Sequence, residues 1–198
     1  MCIRGHRRAN HGYSLIELIL FIVIVSASIA GVLVAIDRTA RASVDPLIIK
    51  QALAVAEALL EEVELMPFTF CDPDDAQAAT AQSATIGASG CAAVIEAIGP
   101  EAGEKRSDPS APLFDNVNDY NGFDSVADGG IRDITNTLIT ELAAYRAIVT
   151  VAPVALDGIA ATDANGQANV LLITVTVTGP SNITVVLNGY RTKYSPRI

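Results

Sequence analysis

The stretch GYSLIELILFIVIVSASIAGVLVAI, Gly12 to Ile36, governs how the rest of the chain is read. From Tyr13 onward it is apolar or small at nearly every position, and Glu17 is its only charge. As an α-helix rising about 1.5 Å per residue, Tyr13 to Ile36 would reach roughly 36 Å, enough to cross a bilayer core about 30 Å thick. Arg4, Arg7 and Arg8 precede this segment, while Arg38 and Arg41 follow it in the company of Asp37. That arginine excess predicts a cytoplasmic N-terminus and an exported C-terminal body.

The remaining chain is of a size for one domain. Formal net charge is −9 over 198 residues, and setting aside the three leading arginines leaves ten basic residues against 22 acidic ones, a net of −12. A body so acidic repels phosphate backbones, so no nucleic-acid partner is expected. Both histidines, His6 and His11, lie ahead of Tyr13, and the chain has no tryptophan. A chain beginning at Tyr13 would therefore lack nucleophile–histidine pairs and histidine metal ligands, leaving only carboxylate chemistry open.

Beyond the apolar segment, Ser43-Val44-Asp45-Pro46 reads as a helix start, with Asp45 as cap and Pro46 in the first turn. A kink or short break near Asp45 is expected, followed by an amphipathic helix over 46–66. Ile49, Leu53, Ala56, Leu60 and Val63 form its apolar face, and Lys50, Gln51, Glu57, Glu61 and Glu64 its polar one. Met66-Pro67 ends it. The stretches 71–90 and 107–130 are small, polar and rich in turn residues, so both read as loops.

The last third alternates with period two. Tyr145, Ala147, Val149 and Val151 share one face of a predicted strand, and Leu171, Ile173, Val175 and Val177 one face of another. Gly179-Pro180-Ser181-Asn182 turns the chain into a return strand carrying Ile183, Val185 and Leu187, which makes an antiparallel hairpin. Strands are thus expected within 145–190. A long helix followed by such a sheet is an α+β arrangement with one core between them.

In FDNVNDYNGFD, Phe114 to Asp124, the side-chain oxygens of Asp115, Asp119 and Asp124 are those a calcium ion would use. Their spacing fails the helix-loop-helix calcium template, whose terminal glutamate is missing, and the stretch reads as turn chemistry with no metal.

Two ordinary readings of the apolar segment exist. Ser28-Ile29-Ala30 offers a small-residue site for a secretory signal peptide, and an uncleaved signal anchor needs no site at all. A third reading follows from order: a basic leader, then Gly12, an aromatic residue, Ser-Leu-Ile-Glu-Leu-Ile, and the unbroken apolar run. This resembles the class III signal of type IV prepilins and pseudopilins, matched at Gly12, Leu15, Ile16, Glu17, Leu18 and Ile19. Tyr13 and Ser14 replace the commoner phenylalanine and threonine.

The resemblance implies a leader 1–12 removed between Gly12 and Tyr13 by a prepilin peptidase, N-methylation of Tyr13, an assembly helix 13–36 that stays attached, and an exported pilin-like body 37–198. It also supplies a use for Glu17: in a filament, its carboxylate meets the Tyr13 amine of a neighbouring subunit and sets axial register. The implied partners are other pilin subunits, the peptidase, the inner-membrane assembly machinery and the membrane itself. Localisation follows as inner membrane before assembly and pilus filament afterwards.

Cys71 and Cys91 lie 20 positions apart, and Cys2 leaves with the leader. In an exported body their pairing would stabilise by about 3 kcal/mol on loop entropy, the alternative being two free thiols.

SVDPLIIKQALAVAEALLEEV, FDNVNDYNGF and LLITVTVTGPSNITVVLNGYR are similar to parts of the MshD family of minor pilins of the mannose-sensitive haemagglutinin type. Major pilins of this kind commonly carry a disulfide near the C-terminus, where this chain has no cysteine, which favours a minor subunit. The expected function is a minor pilin that enters or primes a filament and serves surface attachment, with no enzymatic activity and no cofactor. The alternatives are a minor pseudopilin of a type II secretion system, and a membrane-anchored periplasmic enzyme or binding protein built on Asp115, Asp119 and Asp124.

Overall fold

The computed structural model describes residues 14–133 and 135–193, with the backbone alone for 39–45. One helix, α1 (Leu15–Leu65), opens the chain, and three strands close it: β1 (Arg146–Pro153), β2 (Val170–Thr178) and β3 (Thr184–Thr192). The class is α+β, as the periodicities predict. The chain divides into two units, up to Asp45 and from Pro46, and α1 contributes to both.

In the first unit, Leu15–Arg38 is long and apolar enough to cross a membrane, and none of it is buried by protein. Ser14 provides the carbonyl for the first helical bond, accepting from the Leu18 amide at 3.1 Å. Further along, the Ser28 hydroxyl donates to the Ile24 carbonyl at 2.8 Å, so this polar side chain is satisfied within the helix itself.

The helix does not stop at Asp45. Helical backbone continues through Pro46 to Leu65, which corrects the expected break. A proline inside a helix removes one hydrogen bond and crowds the carbonyl four residues back, at roughly 3 kcal/mol. On its C-terminal side a run rich in good helix formers, Gln51 to Leu65, continues the element past that defect.

In the second unit the buried stripe of α1 is Ile48, Ala52, Ala56, Leu59 and Val63. The expected face was rotated by about one residue: Ala56 and Val63 are buried as predicted, Leu53 and Leu60 are half-buried, and Ile49 is exposed. Ala52 and Ala56 carry the shift: both are fully buried in the core shared with the sheet, although alanine adds little to a hydrophobic pattern.

The sheet is antiparallel in the order β1-β2-β3. Val149 pairs with Val175, and Val175 with Leu187, so the three apolar rows predicted from the sequence lie side by side. On the central strand Leu171, Ile173, Val175 and Val177 are fully buried, and they join Tyr145, Ala147, Val149, Val151 and the α1 stripe in one cluster. The β2–β3 turn falls at Pro180–Asn182, where Ser181 and Asn182 adopt positive φ. The predicted loops 71–90 and 107–130 hold no strand of the sheet, apart from a short 3-10 turn at Val117–Tyr120.

One polar knot ties α1 to the loops. Arg106 donates to both carboxylate oxygens of Glu62, at 2.8 and 2.7 Å, and the Tyr120 hydroxyl donates to Glu62 Oε1 at 2.7 Å. The Arg106 and Glu62 side chains are 10% and 26% exposed. Burial and the neighbouring Glu62 carboxylate hold the Tyr120 hydroxyl in its neutral, donating form. Glu62→Ala would leave a mostly buried guanidinium unpaired, so it is expected to cost about 3 kcal/mol in chemical denaturation of the detergent-purified chain. Glu62→Gln, which keeps an acceptor, is expected to cost clearly less, and equal costs would show that the knot is not what stabilises this contact.

Candidate functional site

Glu17 lies in the first turn of α1, exposed, and among the described residues it has no hydrogen-bond or ion-pair partner. Leu15, Ile16, Leu18, Ile19, Leu20 and Phe21 around it are all more than half exposed. The predicted cleavage pair Gly12 and Tyr13, and with it the methylation site, lies outside the described residues.

Cys71 and Cys91 are joined as a disulfide, with Cα atoms 5.4 Å apart. Both are fully buried with Ala78 and Ala81 in a second small core, flanked by Phe70 and Ile95. The loop between them is organised by a residue that the sequence reading passed over. Asp75 Oδ1 accepts from the Gln77 and Ala92 amides, and Asp75 Oδ2 accepts from the Ala93 and Val94 amides. Those backbone donors, Val94 foremost, hold its carboxyl well below the usual aspartate value.

The disulfide region also positions a set of carboxylates. A bridge between Cys71 and Ile95, with the Glu96 amide donating to the Phe70 carbonyl at 3.1 Å, sets Asp72 and Glu96 at its ends. The chain then bends at Gly99 and Gly103, with φ of +104° and +98°, a region where glycine alone is unstrained. These bends direct Glu101 and Glu104. Gly99 donates to the Asn118 carbonyl at 3.1 Å, which brings the segment against the 117–120 turn.

That turn is built as the sequence predicts. Asp119 Oδ2 accepts from the Asn116 and Asp115 amides at 2.7 and 3.0 Å, and Asn116 Oδ1 accepts from the Asn118 amide. The three aspartates singled out in the sequence do not act together, however. Asp124 pairs with Arg146 at 2.5 Å and accepts from the Val126 amide, so its oxygens are engaged elsewhere. Asp115 and Asp119 instead join Asp72, Asp74, Glu96, Glu101 and Glu104 in four overlapping triads, each with one oxygen per residue within 4.8 Å of the others.

The electrostatics of this cluster are unusual for a surface loop. Glu96 is 5% exposed and Asp119 is fully buried. Both oxygens of Glu96 and Oδ1 of Asp119 have no hydrogen-bond partner. Among the described residues no lysine or arginine forms an ion pair with any of the seven; the two pairs found are Arg106–Glu62 and Arg146–Asp124. Burial, and then the Asp119 charge, push Glu96 up to about 9. Burial, and then Asp72, raise Asp115 to about 6. Glu104 and Asp119 are raised as well, by burial first and by neighbouring carboxylates. Such a concentration of hard oxygen donors without a cation has the chemistry of a divalent-ion site. Glu96, Glu101 and Glu104 were not flagged in the sequence; their only signal was an acidic run broken by Gly99, Pro100 and Gly103.

No family model, curated protein or solved structure matches the chain.

The lowered Asp75 value fixes the sign of a pH effect. Its contribution is fully present above the unfolded value of 3.8 and is lost as pH falls through the depressed folded value. Asp75→Asn is therefore expected to lower the melting temperature at neutral pH, with the gap to the parent chain narrowing steadily as pH drops below about 4. A gap that stays constant from neutral to acid pH would show that the carboxylate charge is not what holds this loop.

Proposed function

We propose that the chain is a minor pilin-like filament subunit of the MshD kind. It is anchored by the N-terminal half of α1 in the inner membrane before assembly, and that helix is packed among other subunits' helices afterwards. The observation that carries this reading is Glu17, the sole charge in Tyr13–Ile36, in the first turn of an apolar helix that no protein surface covers. The α+β body, the leader pattern before Tyr13 and the placement of the disulfide away from the C-terminus support it further.

A carboxylate costs about 2.5–3.5 kcal/mol at the centre of a span on insertion scales, and less near the interface. Peptidase cleavage after Gly12 creates an amine on Tyr13, and methylation leaves it basic. Within one helix that amine and Glu17 are four residues apart, about 6 Å along the axis. Between subunits they meet directly: Glu17 of an incoming subunit neutralises the Tyr13 amine of its neighbour. The pair removes two poorly solvated charges at once, and it forms only at one axial offset, so it selects register as well as affinity. The body contributes no reaction in this reading, and is displayed outside the helical bundle for attachment.

The test replaces Glu17. Glu17→Ala and Glu17→Gln are both expected to accumulate in the membrane at parental level, since an apolar or neutral residue inserts at least as well. Each is expected to be depleted at least about tenfold from sheared filaments, the factor for losing about 1.4 kcal/mol. Incorporation of Glu17→Ala at parental level would remove the register mechanism.

A further inference from the structure

Among the described residues, Glu96 is a buried carboxylate with both side-chain oxygens unpartnered. A carboxylate with 5% exposure ordinarily takes two or more hydrogen bonds or an ion pair, and neither of its oxygens has a partner. Its oxygens point into the company of Glu101 and Asp119, one from each lying within 4.8 Å of the others. Asp119 repeats the pattern. Its Oδ2 is held by the Asn116 and Asp115 amides, and its Oδ1 is buried without a partner. Two buried carboxylates facing each other with free lone pairs form half of a coordination shell.

From this geometry we propose that Glu96, Glu101 and Asp119 bind a calcium ion. Glu104 and Asp115, which form a second triad with Asp119, close the other side, and Asp72 stands beside Glu101 and Glu104. The site is distinct from the filament helix and does not rest on the filament reading.

The choice of ion follows from donor type and span. Every donor is a carboxylate oxygen, and no histidine or cysteine sulfur is in the set, which disfavours zinc and copper. Calcium takes six to eight oxygens at about 2.3–2.6 Å, so oxygens on opposite sides of it stand roughly 4.6–5.2 Å apart. One oxygen from each member of a triad lies within 4.8 Å of the others, near enough for all three to reach an ion of that size. Magnesium demands near-ideal octahedral geometry and prefers to keep several of its own waters, so a crowd of carboxylates on irregular loops suits it less. Calcium would also brace three segments: the one following the disulfide, the bend at Gly99–Gly103 and the 117–120 turn.

The test uses the full chain purified in detergent, stripped with a chelator and held near neutral pH. Calcium at about 5 mM is expected to raise the melting temperature by roughly 5 °C or more, as for a ligand present well above its dissociation constant. Magnesium at the same concentration is expected to give less than half that shift. Glu96→Gln and Asp119→Asn are each expected to abolish the calcium shift, while Asp124→Asn, outside the cluster, keeps it. Glu96→Gln carries the test if Asp119→Asn does not fold, because Glu96 has no hydrogen bond to lose. Absence of a calcium shift in the parent chain, an equal shift with magnesium, or an undiminished calcium shift in Glu96→Gln would each overturn the assignment.

Discussion

Apolar surface that protein does not cover has to be covered by something else. Side chains such as Leu18, Phe21, Ile22 and Leu33 are more than half exposed on the N-terminal part of α1. Each fully wetted large apolar side chain forfeits roughly 1.5–3 kcal/mol relative to burial. Summed along Leu15–Arg38, that exceeds what a marginally stable domain can carry in water, so lipid or the apolar helices of other chains must supply the cover. A helix apolar on every side has no preferred face of its own. Glu17 is the sole charge on this stretch, and in the proposed filament it would supply the directional feature that fixes where a neighbour sits.

The body treats its carboxylates in two opposite ways. Glu62 receives three donors from Arg106 and Tyr120, and Asp75 receives four backbone amides, so each stabilises the segments it joins. Glu96 and Asp119 are withheld from water with three oxygens unpartnered and, among the described residues, no ion pair to a lysine or arginine. Left alone, such groups oppose folding, because burial and mutual repulsion both penalise the charged form. With a divalent ion the same groups become the strongest link among loops that share no regular secondary structure. Disulfide and carboxylate cluster adjoin each other through Cys71, Asp72, Ile95 and Glu96, so one covalent and one ionic constraint would hold this end of the body.

How far the sequence reached can be judged residue by residue. The β-branched alternation of Val149, Ile173, Val175 and Val177 translated directly into buried rows, because period two leaves no choice of face once a strand forms. The apolar segment was equally plain. The buried face of α1 was harder, since Ala52 and Ala56 carry little hydrophobic signal yet are fully buried. Proximity in sequence misled for Asp124, which shares a stretch with Asp119 but turns away to Arg146. Proximity in space was invisible for Glu96, Glu101 and Glu104, because glycine bends and a bridge to Cys71 decide where they point, and no periodicity encodes either. Asp75 was likewise one acid among several until its four amide donors were seen.

In the proposed filament the apolar helix is a processed assembly element rather than a simple anchor. The mass of the N-terminal peptide of the native, membrane-extracted chain tests it most directly, measured with the prepilin peptidase present and then absent. The account predicts a peptide beginning at Tyr13 with one added methyl, replaced by the unprocessed N-terminus when the peptidase is missing. A peptide beginning at Met1 or at Gly31 in both cases would contradict it, leaving an anchored or secreted body in place of a filament subunit.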